Sequence, residues 1–147
     1  MVDIVNQDNG KGGTSDANSR EYGGAVSNDG TVTQSSPGAV ARPEAPRASI
    51  DITTDSNRKS IFHSHPSASV TTTSGGTNGN TISMSTSSST VGFAQTPSYG
   101  TTYDVSSSNV NRTNYVFGRG NGTVYIYNSN TGIQATIPQK YFVTPKK

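Results

Sequence analysis

The chain has 147 residues, enough for one domain but not for two of the usual roughly 100–200 residues each. Only 29% of them are hydrophobic, which excludes a large, uniformly packed core. Its 11 basic and 9 acidic side chains leave a net charge of +2 without the basic patch that nucleic-acid binding needs, and no apolar run approaches the roughly 18 residues of a membrane span.

Ser, Thr, Asn and Gly fill the space that apolar residues leave, and they favour turns, caps and exposed strands. Residues 1–19, with Asn9-Gly10-Lys11-Gly12-Gly13, show no hydrophobic periodicity and read as a flexible lead or linker. A domain over residues 20–147 follows. Around Asn28-Asp29-Gly30, Asp-Gly between β-compatible runs signals a hairpin. A loop rich in Pro and Ala covers Ser35 to Arg47. From Ala48 to Thr53, Ile50 and Ile52 alternate with Ser49 and Asp51, the pattern of a half-buried strand. Another strand is expected through Ser60, Ile61 and Phe62 to His65.

From Ser67 to Ser89 the sequence is almost all Ser, Thr, Gly and Asn. It buries too little to offset its ordering entropy and reads as a long loop, with a β-ribbon as the alternative because Ile82 and Met84 alternate. Asp104 to Asn114 is the one helical candidate, capped by Thr101 or Asp104. Tyr115 to Phe117, Thr123 to Tyr127 and Gly132 to Ile137 form a meander that supplies much of the core. Its Gly118-Arg119-Gly120-Asn121-Gly122 run opens no helix and reads as a hairpin turn, not a phosphate loop. Tyr125 and Tyr127 share a face. The fold class expected is α+β: a strand-rich mixed sheet with few short helices and long polar loops.

Cysteine is absent and there are two histidines, so any metal must be held by His, Asp or Glu. His63 and His65 stand two apart in a segment that reads as a strand, where side chains at i and i+2 share a face. Pro66 then ends the ladder, having no N–H to donate. A catalytic zinc site needs a third protein ligand, a position for water and a general base. The supply is short: Asp104 is the only acidic residue after His65, and the only glutamates are Glu21 and Glu44. Glu44 sits between Pro43 and Pro46 in a loop.

Glu21, then His63-Ser64-His65-Pro66, then Pro97-Ser98 ahead of Asp104 resembles the JAB1/MPN/Mov34 (JAMM) metalloenzyme family, and within it the JAB-like domains of bacterial polymorphic toxins. The resemblance implies that His63, His65 and Asp104 bind Zn2+, that Glu21 is the general base, and that a hydroxyl of Ser98 or Thr101 steadies the oxyanion. It implies a zinc-dependent peptidase or isopeptidase in which metal-activated water attacks an amide carbonyl. The domain would be delivered or secreted as an effector within a larger toxin, with a protein or peptide substrate and an immunity protein as partners; no signal peptide or membrane segment is read here. The family places its Asp sooner after the Pro, which makes residues 67–95 an insertion beside the site. A non-catalytic interaction module of the same family, or a structural β-domain, is the alternative.

Overall fold

The structure is a computed structural model that describes residues 1–53, 55–77, 84–99, 104, 112–128 and 130–142. In chain order it forms a one-turn helix α1 (Val2–Val5), then β1 (Gly23–Ser27), β2 (Val32–Gln34), β3 (Arg58–His65), β4 (Ser69–Thr77), β5 (Met84–Gly92), β6 (Asn114–Gly118), β7 (Thr123–Asn128) and β8 (Gly132–Pro138). Short 3-10 turns cover Asp16–Ser19 and Gln139–Tyr141. A six-stranded sheet runs β2-β1-β3-β6-β7-β8, and β4 and β5 make a separate ribbon. The β3–β6 pair is parallel and the others are antiparallel. The class is α+β, strand-rich and mixed. No helix among the described residues is long and apolar enough to cross a membrane.

The β1–β2 hairpin follows from its turn. Gly30 takes φ 89°, open to a residue without Cβ, and the Asp29 carboxylate accepts the Thr31 N–H at 2.9 Å. The Tyr115–Ile137 meander forms as β6, β7 and β8. Paired residues in a sheet share a face, so the register sorts the side chains. Phe62, Phe117 and Val124 fall on one face, closed by Val5 of α1, all fully buried. His63 is paired with Val116 and Val116 with Tyr125; with His65 and Tyr127 they occupy the other face.

Three segments differ from the sequence reading. Residues 1–19 are seated on the sheet: Val5 and Asp8 are fully buried, and Gly10, Gly12 and Gly13 have φ of 74°, 70° and 81°. These glycines make left-handed turns, for which glycine is best suited, where composition alone suggests a linker. In place of the long loop first expected after Ser67, Ser69–Thr77 and Met84–Gly92 form the ribbon that was the alternative for this stretch, with Thr71 and Thr90 hydroxyls hydrogen-bonded across it at 2.8 Å. Residues 48–53 form no strand: both edges of β1 are taken by β2 and β3, and the sheet ends at β2 without adding them. The helix expected from Asp104 to Asn114 falls mostly on 105–111, outside the described residues.

The docked helix gives a stability test. Val5→Ala is expected to cost about 2 kcal/mol in urea denaturation, a Tm loss of about 4–8 °C for a domain of this size. Val32→Ala, on the exposed edge strand β2, is expected to stay within about 0.5 kcal/mol. Equal effects at the two positions would mean that α1 is not part of the core.

Candidate metal centre

His63 and His65 end β3, which is wedged between β1 and β6. The residue between them locks this end: Ser64 N–H donates to the Tyr22 carbonyl at 2.7 Å, and Tyr22 N–H donates to Ser64 Oγ at 3.0 Å. Gly23 pairs with His63, and a Cβ there would meet the His63 Cβ at 2.8 Å. Continuing that antiparallel register sets Glu21 opposite His65 and on the same face. Glu21 is buried, whereas Glu44 is exposed, so of the two glutamates Glu21 is the one placed at the site.

Asp104 reaches the same point in spite of its distance in sequence, because the ribbon closes on itself. Ser69 pairs with Gly92 at its base, so the chain leaves and re-enters the site side by side. The returning segment then does two jobs. The Ala94 carbonyl lies 2.8 Å from His65 Nδ1, and Ser98 captures Asp104: its N–H and hydroxyl both donate to Asp104 Oδ2, at 2.7 and 2.8 Å. Oδ1 is turned to His63 Nε2 at 3.0 Å, while Oδ2 lies 3.4 Å from His65 Nε2. Ser98, read from sequence as an oxyanion donor, thus spends its proton on a candidate ligand. Thr101, the other hydroxyl read for that role, lies outside the described residues.

The two Nε2 atoms are 3.2 Å apart, and ligand atoms of His63, His65 and Asp104 all lie within 4.8 Å of one another. Bonding of His65 Nδ1–H to the Ala94 carbonyl fixes the tautomer and leaves Nε2 with its lone pair at the centre. Three Lewis bases therefore converge on one point, and the group can hold a metal ion. Around a tetrahedral zinc with bonds of about 2.0–2.1 Å, two nitrogens would sit about 3.3–3.4 Å apart, close to the separation here.

The electrostatics are those of a desolvated charge cluster. Burial disfavours a charge on His63, but the Asp104 carboxylate, and after it Glu21, outweigh burial and raise the imidazole pKa above its ordinary value. Burial likewise opposes ionisation of Asp104, yet His63 and His65 hold its carboxyl far below the usual range. Glu21 goes the other way: burial raises its pKa, only partly offset by the two histidines. Tyr127, fully buried, has its phenol pushed up by burial and then by the Asp104 and Glu21 charges, which places it within the field of the cluster.

The sequence reading missed the groups that aim these ligands. Ala94 carries no side-chain signal. Asp8-Asn9-Gly10 has the form of an Asx turn, yet nothing local points it at Ser67. Searches of protein-family models, curated proteins and solved structures find no match to this chain.

Two tests follow. Ser98→Ala removes the hydroxyl donor to Asp104 Oδ2 and leaves the backbone N–H bond; it is expected to weaken zinc affinity about 10-fold, read by competition with a chromophoric chelator, and unchanged affinity would remove the Ser98 hydroxyl from the centre. A raised Glu21 pKa means that its stability contribution is whole below the unfolded value near 4.5 and is lost as pH rises through the folded pKa. Glu21→Gln should therefore stabilise the metal-free protein at pH 7 by about 1 kcal/mol, a gain that fades on acidification to about pH 4. A variant no more stable than wild type at pH 7 contradicts this.

Proposed function

We propose that the chain is a zinc-dependent peptidase or isopeptidase of the JAMM kind, acting as the toxin effector domain of a larger secreted protein. The observation that carries the catalytic reading is the convergence of His63 Nε2, His65 Nε2 and the Asp104 carboxylate on one point, with Glu21 buried beside them. A two-imidazole, one-carboxylate set suits zinc and leaves a fourth position for water. When bound, zinc supplies Lewis acidity, lowering the pKa of water to about 7 and polarising an amide carbonyl.

The protein's own groups divide the remaining work. His63 and His65 present their Nε2 lone pairs, the latter oriented by Ala94. Ser98 holds Asp104 toward the histidines. Glu21 accepts a proton from the attacking water and returns it to the leaving amine; burial makes it a stronger base than an exposed carboxylate. A scaffold without chemistry gains nothing from a carboxylate held there against its desolvation cost, which favours the catalytic reading over an interaction module. The effector role and a neutralising immunity partner rest on the resemblance of the Glu21, His63-Ser64-His65-Pro66 and Asp104 order to JAB-like toxin domains.

Metal analysis and turnover together test the proposal. The purified chain is expected to carry one zinc, and His63→Ala to lose it. Against a panel of peptides and isopeptide-linked conjugates, Glu21→Gln is expected to keep the zinc and lose at least about 100-fold in kcat. Zinc bound with no cleavage of any conjugate would leave a metal protein that is not this enzyme.

A further inference from the structure

The back of the metal centre is held by a segment that the chemistry above does not use. Asp8 is fully buried, and its carboxylate accepts three hydrogen bonds: from Gly10 N–H at 2.8 Å and Ser67 Oγ at 2.6 Å to Oδ1, and from Ser67 N–H at 2.7 Å to Oδ2. Its backbone carbonyl accepts two more from the Arg119 guanidinium, Nε at 2.9 Å and Nη2 at 2.6 Å. Arg119 in turn donates its backbone N–H to the His65 carbonyl at 3.2 Å. A closed ring results, running from Asp8 to Ser67, along the chain through Pro66 to His65, across to Arg119 and back to Asp8.

A candidate metal ligand is thus one link of the ring, and the links beside it are stiff. Pro66 has a fixed φ, so a shift of Ser67 passes to His65 with little slack. Gly12 N–H adds a second hold on Ser67 Oγ at 3.2 Å, made possible by the left-handed turns of Gly10 and Gly12. Merely fastening the N-terminal segment to the sheet does not require this carboxylate, because Val5 already seats that segment in the core. Burying a carboxylate is costly unless each oxygen is satisfied, and two of its three bonds go to the residue two places after His65.

We infer that Asp8 is a positioning residue for the metal centre, holding Ser67 so that His65 meets His63 and Asp104, and that residues 8–12 belong to the site although they touch no metal ligand side chain. This rests on the reading of His63, His65 and Asp104 as ligands.

Cobalt(II) titration of the full chain tests it, followed by the d–d absorption bands and by chelator competition. Wild type is expected to take up one cobalt. Asp8→Ala is expected to bind it about 10-fold more weakly or worse with altered d–d bands. Asp8→Asn, which can still accept from Ser67 N–H and donate to its Oγ, should recover part of the affinity. Adding Ser67→Ala to Asp8→Ala should cost little more. Val5→Ala is the control for a purely structural effect: it should lower Tm and leave the cobalt constant and spectrum unchanged. Asp8→Ala with wild-type affinity and bands overturns the inference while the metal reading stands. Wild type that takes up no cobalt ends the metal reading and the inference with it. If Asp8→Ala does not fold, Asp8→Asn and Ser67→Ala decide, and wild-type constants in both overturn the inference.

Discussion

The two-residue repeat of β3 is the constraint on which the site depends. Because side chains alternate, the same strand sends Phe62 into the core beneath α1 and His63 and His65 to the opposite face. A slip of one residue would exchange these sets, putting imidazoles against Val5 and Phe117 and a phenylalanine among the acids. The register is therefore pinned from both neighbours: by Ser64, which exchanges hydrogen bonds with Tyr22 on one side, and by the parallel ladder to β6 on the other. The residue between the histidines is thus more than a spacer. By fixing Tyr22 it also fixes the approach of Glu21.

The ribbon shows how His65 and Asp104, far apart in sequence, come to one point. An open loop between Pro66 and Ser98 would add closure entropy and leave the position of Asp104 undetermined. Closing the extra chain as an antiparallel pair, Ser69 against Gly92, returns the backbone to its point of departure. The segment after it is then tied by Gln95, whose side chain donates to the Pro66 carbonyl at 2.9 Å and accepts from Gly120 N–H at 2.6 Å.

What was legible in the sequence follows from what is local. The hairpin at Asn28-Asp29-Gly30 and the meander carry their own turn chemistry and alternation, and both formed. The candidate ligand set was legible because candidates were so scarce: two histidines and one downstream acid left few other combinations, and the structure brings His63, His65 and Asp104 together as a group that could hold a metal ion. What was illegible depended on partners distant in sequence. A Gly-rich stretch is equally consistent with a linker and with a series of left-handed turns, and only the contact of Asp8 with Ser67 decides. Ser/Thr-rich sequence likewise supports a loop or a ribbon until a ladder forms. Ile50 and Ile52 carried a good strand pattern but pair with no strand of the sheet.

The low apolar content, an oddity in the composition, is resolved around the candidate metal centre. The core clusters are small, so order around the site is supplied largely by hydrogen bonds through buried Asp8 and Arg119 and half-buried Gln95 and Ser98. At the centre a carboxylate, two imidazoles and Glu21 gather at a point from which water is largely removed, while His63 Nδ1 and the Tyr127 hydroxyl are buried with no hydrogen-bond partner among the described residues. A divalent ion there would turn mutual crowding into attraction, and at a free concentration about 1,000 times its Kd it would add about 4 kcal/mol to the stability of the fold. In a domain whose total is of the order of 5–15 kcal/mol, that is a large share. With an ion bound there, metal binding and folding would be coupled through the same atoms: whatever loosened His63, His65 or Asp104 would also loosen the domain.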